Sequence, residues 1–185
     1  ARHGMVVASE PQATAVGRDV LRLGGSAIDA AVATAFALAV TYPSAGNIGG
    51  GGFIVYRPAI GEPVTYDFRE AAPARASAEM FLVDGEYDRN RHHDSHVAVG
   101  VPGTVAGLHL AWSEYGRLPW RRLVEPAIAL AHDGFIVSHA LADSLATVLP
   151  QLAQYPASMS QYSNDGVPYQ PGDRLRQPDL ARTLE

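Results

Sequence analysis

The chain has 185 residues, 14 basic against 19 acidic for a formal net charge of −5, and no cysteine. That length fits one domain or part of one, and a 47% hydrophobic fraction suits a globular core. The acidic balance excludes a sequence-independent nucleic-acid binder, which needs clustered cations, and the lack of Cys excludes disulfides, thiol catalysis and cysteine zinc sites.

Taken in chain order, residues 5–8 read as a short buried strand. Ser9 and Gln12 stand at capping-box spacing with Pro11 in the first turn. Ala13, Val16, Val20 and Leu23 follow at helical spacing, and Gly24-Gly25 ends that helix. Ser26 and Asp29 repeat the capping spacing and open a second helix, apolar nearly all round and therefore buried, with small residues that permit close packing. Its apolar run over 30–40 is far shorter than the roughly 20 residues that span a bilayer, and Pro43 stops it. Phe53–Tyr56 and residues 64–68 read as paired strands joined by a Pro- and Gly-containing link. Residues 84–96 are polar and read as an exposed loop. Val105, Leu108, Trp112 and Tyr115 mark a helix closed by Gly116. Residues 120–132 are helical, with a split or kink expected at Pro126, and Gly134 closes them. Ser138 caps a further helix to about Leu149. Residues 153–174, rich in Pro, Gly and polar side chains, read as irregular surface chain. A last helix starts near Pro178 and is still in register at Leu184, which predicts that Glu185 is not a natural domain end. Repeats and low-complexity tracts are lacking.

Two features carry chemistry. Four glycines at 49–52 run straight into the strand Phe53–Tyr56, and the partner strand ends in Asp67, Phe68, Arg69 and Glu70. Four glycines are entropically costly to order, so bare backbone is required there, for positive φ or for close approach of another backbone or a ligand. A phosphate loop would need Lys and Ser or Thr after the glycines and then a helix. Here a strand follows and every basic residue is Arg, so the run is read as close packing beneath a site. Arg69, flanked by carboxylates at a strand end, is either a clamp for a substrate carboxylate, which its planar fork pairs with twice, or a structural Arg bridging Asp67 or Glu70. His92, His93 and His96 could be metal ligands, but His92 and His96 share a face only if their segment is helical; an exposed polar loop is expected, with no metal site.

Further motifs stand in a fixed order: GMVVASEP at 4–11, GGSAIDAAVA at 24–33, the glycines at 49–52, DFREAAP at 67–73, GVPGTVAG at 100–107 and AHDGF at 131–135. Together they resemble the large subunit of the γ-glutamyltranspeptidases over nearly the whole chain. The resemblance implies an α+β fold, the four-layer αββα sandwich of N-terminal-nucleophile hydrolases, of which residues 1–185 would be a helix-rich N-terminal portion. It implies that Arg69 binds the α-carboxylate of a γ-glutamyl substrate such as glutathione, with Asp67 and Glu70 supporting Arg69 rather than acting as acid or base. It implies a precursor cut internally and a small-subunit partner whose N-terminal Thr attacks the γ-glutamyl carbonyl, its own α-amine serving as base. No Thr of this chain heads such a subunit, so no catalytic nucleophile is expected here. The acyl group would pass to water or to an amino acid or peptide amine. No metal or organic cofactor and no membrane span are implied, and the location would be periplasmic or extracellular. A cephalosporin-type acylase, with Arg69 holding a glutaryl carboxylate, and a non-catalytic scaffold chain remain as alternatives.

Overall fold

The computed structural model describes residues 3–185. In chain order the elements are α1 (Pro11–Arg22), α2 (Ala27–Thr41), β1 (Phe53–Tyr56), β2 (Val64–Asp67), β3 (Leu82–Val83), β4 (Glu86–Tyr87), α3 (Arg89–His93), a 3-10 turn (His96–Ala98), α4 (Thr104–Tyr115), α5 (Trp120–Asp133), β5 (Phe135–Ile136), α6 (His139–Leu152), α7 (Pro156–Tyr162), β6 (Arg174–Leu175) and α8 (Pro178–Leu184). They fall into two compact units, one formed by residues up to Asn47 with Trp112–Glu185, the other by Ile48–Ala111.

In the first unit, α2 is the central helix. Ser26 Oγ accepts from Asp29 N at 3.1 Å and the Asp29 carboxylate accepts from Ser26 N at 2.7 Å, the reciprocal cap expected from the spacing. The same fully buried carboxylate also accepts from Arg117 N at 2.9 Å, so one side chain starts a helix and ties down a remote loop. Val32, Ala33, Ala37 and Val40 are completely enclosed. Helix α1 lies against α2 at Gly17, where a Cβ would stand 2.2 Å from Thr34 Oγ1 and 3.3 Å from the Ala30 carbonyl. Helix α5 packs on α2 and α8, with Phe36 and Trp120 edge to face at 5.5 Å. Buried Gln177 donates to the Val40 carbonyl at 2.7 Å, stitching the start of α8 to the end of α2. Gly134, at φ 79°, makes the turn out of α5 that its position foretells.

Several sequence expectations fail here for physical reasons. Residues 5–8 form no strand among the described residues. Met5 and Val7 are 75% and 79% exposed, because no neighbouring strand pairs with them. The cap of α1 is Glu10, not Ser9, and makes no side-chain hydrogen bond. Pro11 takes the first helical position, where its missing N–H is free of cost, and so moves the cap one residue on. Leu23 lies past the last turn of α1 and is exposed. Helix α5 is not split at Pro126 but continues as one element from Trp120 to Asp133. Helix α6 starts as expected, Ser138 Oγ accepting from Leu141 N at 3.1 Å, but continues through Pro150 to Leu152. The tract 153–174 is less irregular than its composition suggests, since it holds α7 and the first residue of β6, which pairs with β5.

The second unit is built on the β1–β2 hairpin, antiparallel with Phe53 opposite Asp67 and Tyr56 opposite Val64. Tyr66 on one face is buried, while Phe53 and Val55 on the other are 65% and 76% exposed. The segment 84–96 departs from the expected loop. Asp84 and Gly85, at φ 52° and 84°, turn β3 into β4, and residues 89–93 form α3. In α4 the buried residues are Thr104, Gly107, Leu108 and Ala111, while Val105 faces outward. No helix among the described residues is long and apolar enough to cross a membrane.

Candidate functional site

Arg69 follows the end of β2 by two residues, and both of its neighbouring carboxylates engage it, in different ways. Asp67 Oδ1 accepts from the Arg69 backbone N–H at 3.1 Å, an Asx-type turn that fixes the main chain as it leaves the strand. Glu70 Oε1 takes the guanidinium Nε at 3.2 Å. The Arg69 side chain is 68% exposed and Glu70 is its ion-pair partner among the described residues. Glu70 is engaged through Nε, so among the described residues the two terminal Nη groups are left uncommitted, and a guanidinium edge of that kind can pair with a carboxylate through parallel hydrogen bonds. The Glu70 carboxyl is held below the usual glutamate range, first by its own backbone N–H and then by the Arg69 guanidinium.

The glycines at 49–52 explain how this segment is fixed. None of them has a positive φ, so they are not there for a left-handed turn. A Cβ on Gly51 would lie 2.4 Å from Glu70 N and 2.6 Å from Arg69 Cα, and one on Gly52 would lie 2.9 Å from the Phe68 ring. At Gly51 and Gly52 bare backbone is thus required for close approach to the acid-aromatic-Arg-acid cluster, as the sequence implied, whereas a Cβ on Gly49 would meet open space. Phe68 N donates to Gly52 O at 3.1 Å, extending the hairpin ladder by one bond.

A second glycine series, not assigned a role from sequence, closes on the same segment. Gly50 O accepts from both Gly103 N and Thr104 N, at 2.7 and 3.1 Å, at the start of α4. Ala71 and Val101 exchange two backbone hydrogen bonds. A Cβ on Gly103 would meet the Phe68 carbonyl oxygen at 2.0 Å, and one on Gly107 the root of the Phe68 ring at 2.0–2.3 Å. The available signal was the repeated Gly spacing in GVPGTVAG; its partner, some 35 residues earlier, has no local signature.

The histidines behave otherwise. His92 and His93 lie on α3, and His96 lies beyond its end. His92 packs on Phe81, its ring 4.3 Å away, and its Nδ1 shares a hydrogen bond with Tyr87 Oη at 2.8 Å. Among the described residues no group of three or more His, Asp or Glu is arranged to hold a metal. In the first unit a cavity of about 310 Å³ is lined by Ser160, Ser163, Asn164 and Tyr169, among others, and contains none of the sequence-derived site residues. Its buried Ser163 hydroxyl is already spent, donating to Met159 O and accepting from Gly166 N.

Comparison with known proteins agrees with the motif order. The family model described as Gamma-glutamyltranspeptidase matches residues 13–185. The glutathione hydrolase proenzyme of Escherichia coli (strain K12) is 49% identical over 187 aligned residues, covering all of this chain and 32% of that protein. This chain therefore spans about a third of the length of that curated relative. The crystal structure of Helicobacter pylori gamma-glutamyltranspeptidase superposes with a TM-score of 0.96 at 44% identity, covering 100% of this chain and 53% of that one. A cephalosporin acylase from Bacillus halodurans superposes with a TM-score of 0.82 at 27% identity, covering 95% of this chain and 34% of that one.

Proposed function

The chain belongs to the gamma-glutamyltranspeptidase family, and from that premise we propose that it is the N-terminal part of the large subunit of a γ-glutamyltransferase or glutathione hydrolase, with Arg69 as the clamp for the donor's α-carboxylate. The observation that carries the reading is the guanidinium tethered through Nε to Glu70 with its Nη edge uncommitted, on a backbone pinned by Asp67 and Gly51.

In the whole protein, an N-terminal Thr of a small subunit would attack the γ-glutamyl carbonyl, its α-amine taking the hydroxyl proton. The tetrahedral oxyanion would collapse and expel the leaving amine, which receives that proton. Water or an acceptor amine would then release the acyl group by the reverse sequence. Arg69 contributes by binding the far end of the donor, so the γ-carbonyl reaches the nucleophile in a fixed place. The complete fold would be the αββα sandwich of the N-terminal-nucleophile hydrolases, and the protein would act in the periplasm or outside the cell. Cell fractionation tests the last point, since recovery of mature enzyme in the cytosolic fraction alone would rule it out.

A glutaryl acylase would use the same Arg69 on a carboxylate without the neighbouring amine. The higher identity to the transpeptidase structure, 44% against 27%, favours the γ-glutamyl donor.

The deciding experiment is kcat/KM of the full mature enzyme for a γ-glutamyl donor and for an analogue lacking the α-carboxylate. Loss of a charge-assisted hydrogen bond costs about 1.5–3 kcal/mol, so Arg69→Ala is expected to lower kcat/KM roughly 10- to 150-fold for the donor alone. Arg69→Lys should recover part of it, keeping charge without the fork. Equal damage to both donors would make Arg69 structural.

A further inference from the structure

We infer that Phe68 is a positioning residue for the Arg69 clamp, and that the notch formed by Gly52, Gly103 and Gly107 sets the depth of its ring; the inference rests on the clamp reading above. Phe68 and Arg69 are adjacent and do opposite things. Arg69 is exposed, while Phe68 turns inward and is half-buried. Two separate stretches of chain have given up their side chains to receive it. A methyl on Gly107 would overlap the ring at Cγ, a methyl on Gly52 would press its far edge at Cε2, and a methyl on Gly103 would strike its carbonyl oxygen.

The backbone on each side of Arg69 is tied as well. Phe68 N is bonded to Gly52 O, and Ala71 exchanges two bonds with Val101. Gly51 lies close enough to Arg69 Cα to block its displacement toward the glycine run. The 68–69 peptide is held at its Arg69 N–H by Asp67 Oδ1 at 3.1 Å, and the Phe68 ring sets the remaining tilt of that peptide by how far it enters the notch. A ring pushed out by a methyl group turns the Arg69 Cα–Cβ bond and moves the Nη edge, leaving the guanidinium charge intact but misaimed. Phe is suited to this because it is large, apolar and has only two side-chain torsions. The Gly107 notch is not a requirement of helix α4 itself: glycine there weakens the helix relative to alanine, and Gly107 has no positive φ.

The test is a double-mutant cycle in the full mature enzyme, with Phe68→Gly, Gly107→Ala and the pair together. Each is assayed on a γ-glutamyl donor and on the analogue without the α-carboxylate, beside Arg69→Ala. Each single variant is expected to raise KM for the carboxylate donor, by roughly 5- to 100-fold for the overpacked Gly107→Ala, with little change in kcat and little change for the analogue. The double variant should bind the donor better than Gly107→Ala alone, because Phe68→Gly removes the Cβ, Cγ and Cδ1 that the new methyl would strike. If Gly107→Ala yields no soluble enzyme, its recovery by Phe68→Gly supports the contact and failure to recover overturns it. Equal effects of the single variants on both donors, or a double variant as poor as the product of the singles, would overturn the inference while Arg69→Ala still discriminates the donors. Should Arg69→Ala itself not discriminate, the fault lies in the clamp reading and not in the notch.

Discussion

At the scale of single residues, the three side chains singled out in the sequence divide their work. Asp67 holds the main chain, Glu70 holds Nε, and Arg69 offers its remaining edge. The depressed Glu70 carboxyl has a definite pH consequence. A carboxyl whose folded pKa is lowered contributes fully above its ordinary value, about 4.3, and loses that contribution only as pH falls through the lower folded value. The donor KM of the full enzyme is therefore expected to show no Glu70 inflection between about pH 5 and 8, and Glu70→Gln to run parallel to wild type over that range. An inflection present in wild type and absent in Glu70→Gln would contradict the assignment. These residues were legible because they are sequence neighbours, which makes their chemistry local. Phe68 stood among them unassigned, since its role depends on glycines 35–39 positions downstream that only folding brings close.

Among the elements, the ones read correctly are those whose signals lie within a single helix or hairpin. The Ser26–Asp29 cap, the Ser138 cap, the Gly134 turn and the β1–β2 pairing all belong to this class. The failures depend on partners. Residues 5–8 have strand composition but no strand beside them, and β5–β6 pairs two-residue strands about forty positions apart that carry no periodic signal. Helix α3, one short turn and a half, was hidden by polar composition although Asp88 caps it through Arg91 N. Gly17 shows how packing overrides propensity. Alanine there should favour α1 by about 1 kcal/mol, but its methyl would overlap Thr34 Oγ1, whose buried hydroxyl has no hydrogen-bond partner among the described residues. Gly17→Ala is therefore expected to destabilise by about 1–3 kcal/mol in denaturant melts of the full enzyme, and Thr34→Ala to relieve most of that loss. A Gly17→Ala variant at least as stable as wild type would show that the two helices part freely.

Over the whole molecule, the resemblance named from motif order agrees with the family match and with the superposed structures, whereas the full sandwich lies beyond what 185 residues display. The exposed apolar side chains Met5, Val7, Phe53, Val55 and Ile60 are more than a soluble monomer ordinarily presents on short extended segments. The 185-residue chain made alone is therefore expected to self-associate and to show no turnover of a chromogenic γ-glutamyl anilide. Sedimentation and a heat-killed control check both points. A monodisperse monomer with a sharp cooperative melt would refute the first, and turnover by contaminant-free protein would refute the second.

The glycines around Phe68 also have a consequence for heredity. Every missense change in a glycine codon installs a Cβ, whichever base is altered. At Gly51 and Gly103 the atoms in its way are main chain, Glu70 N at 2.4 Å and Phe68 O at 2.0 Å, which no second substitution can remove. At Gly107 the obstacles are Cβ, Cγ and Cδ1 of the Phe68 side chain, which are cleared together when position 68 is itself glycine. A saturation library should accordingly show Gly51 and Gly103 as intolerant of any change, and positions 107 and 68 as a pair whose alleles are harmful singly and viable together. The loop that carries Arg69 would then drift through lineages along one route only, by paired change at positions 68 and 107.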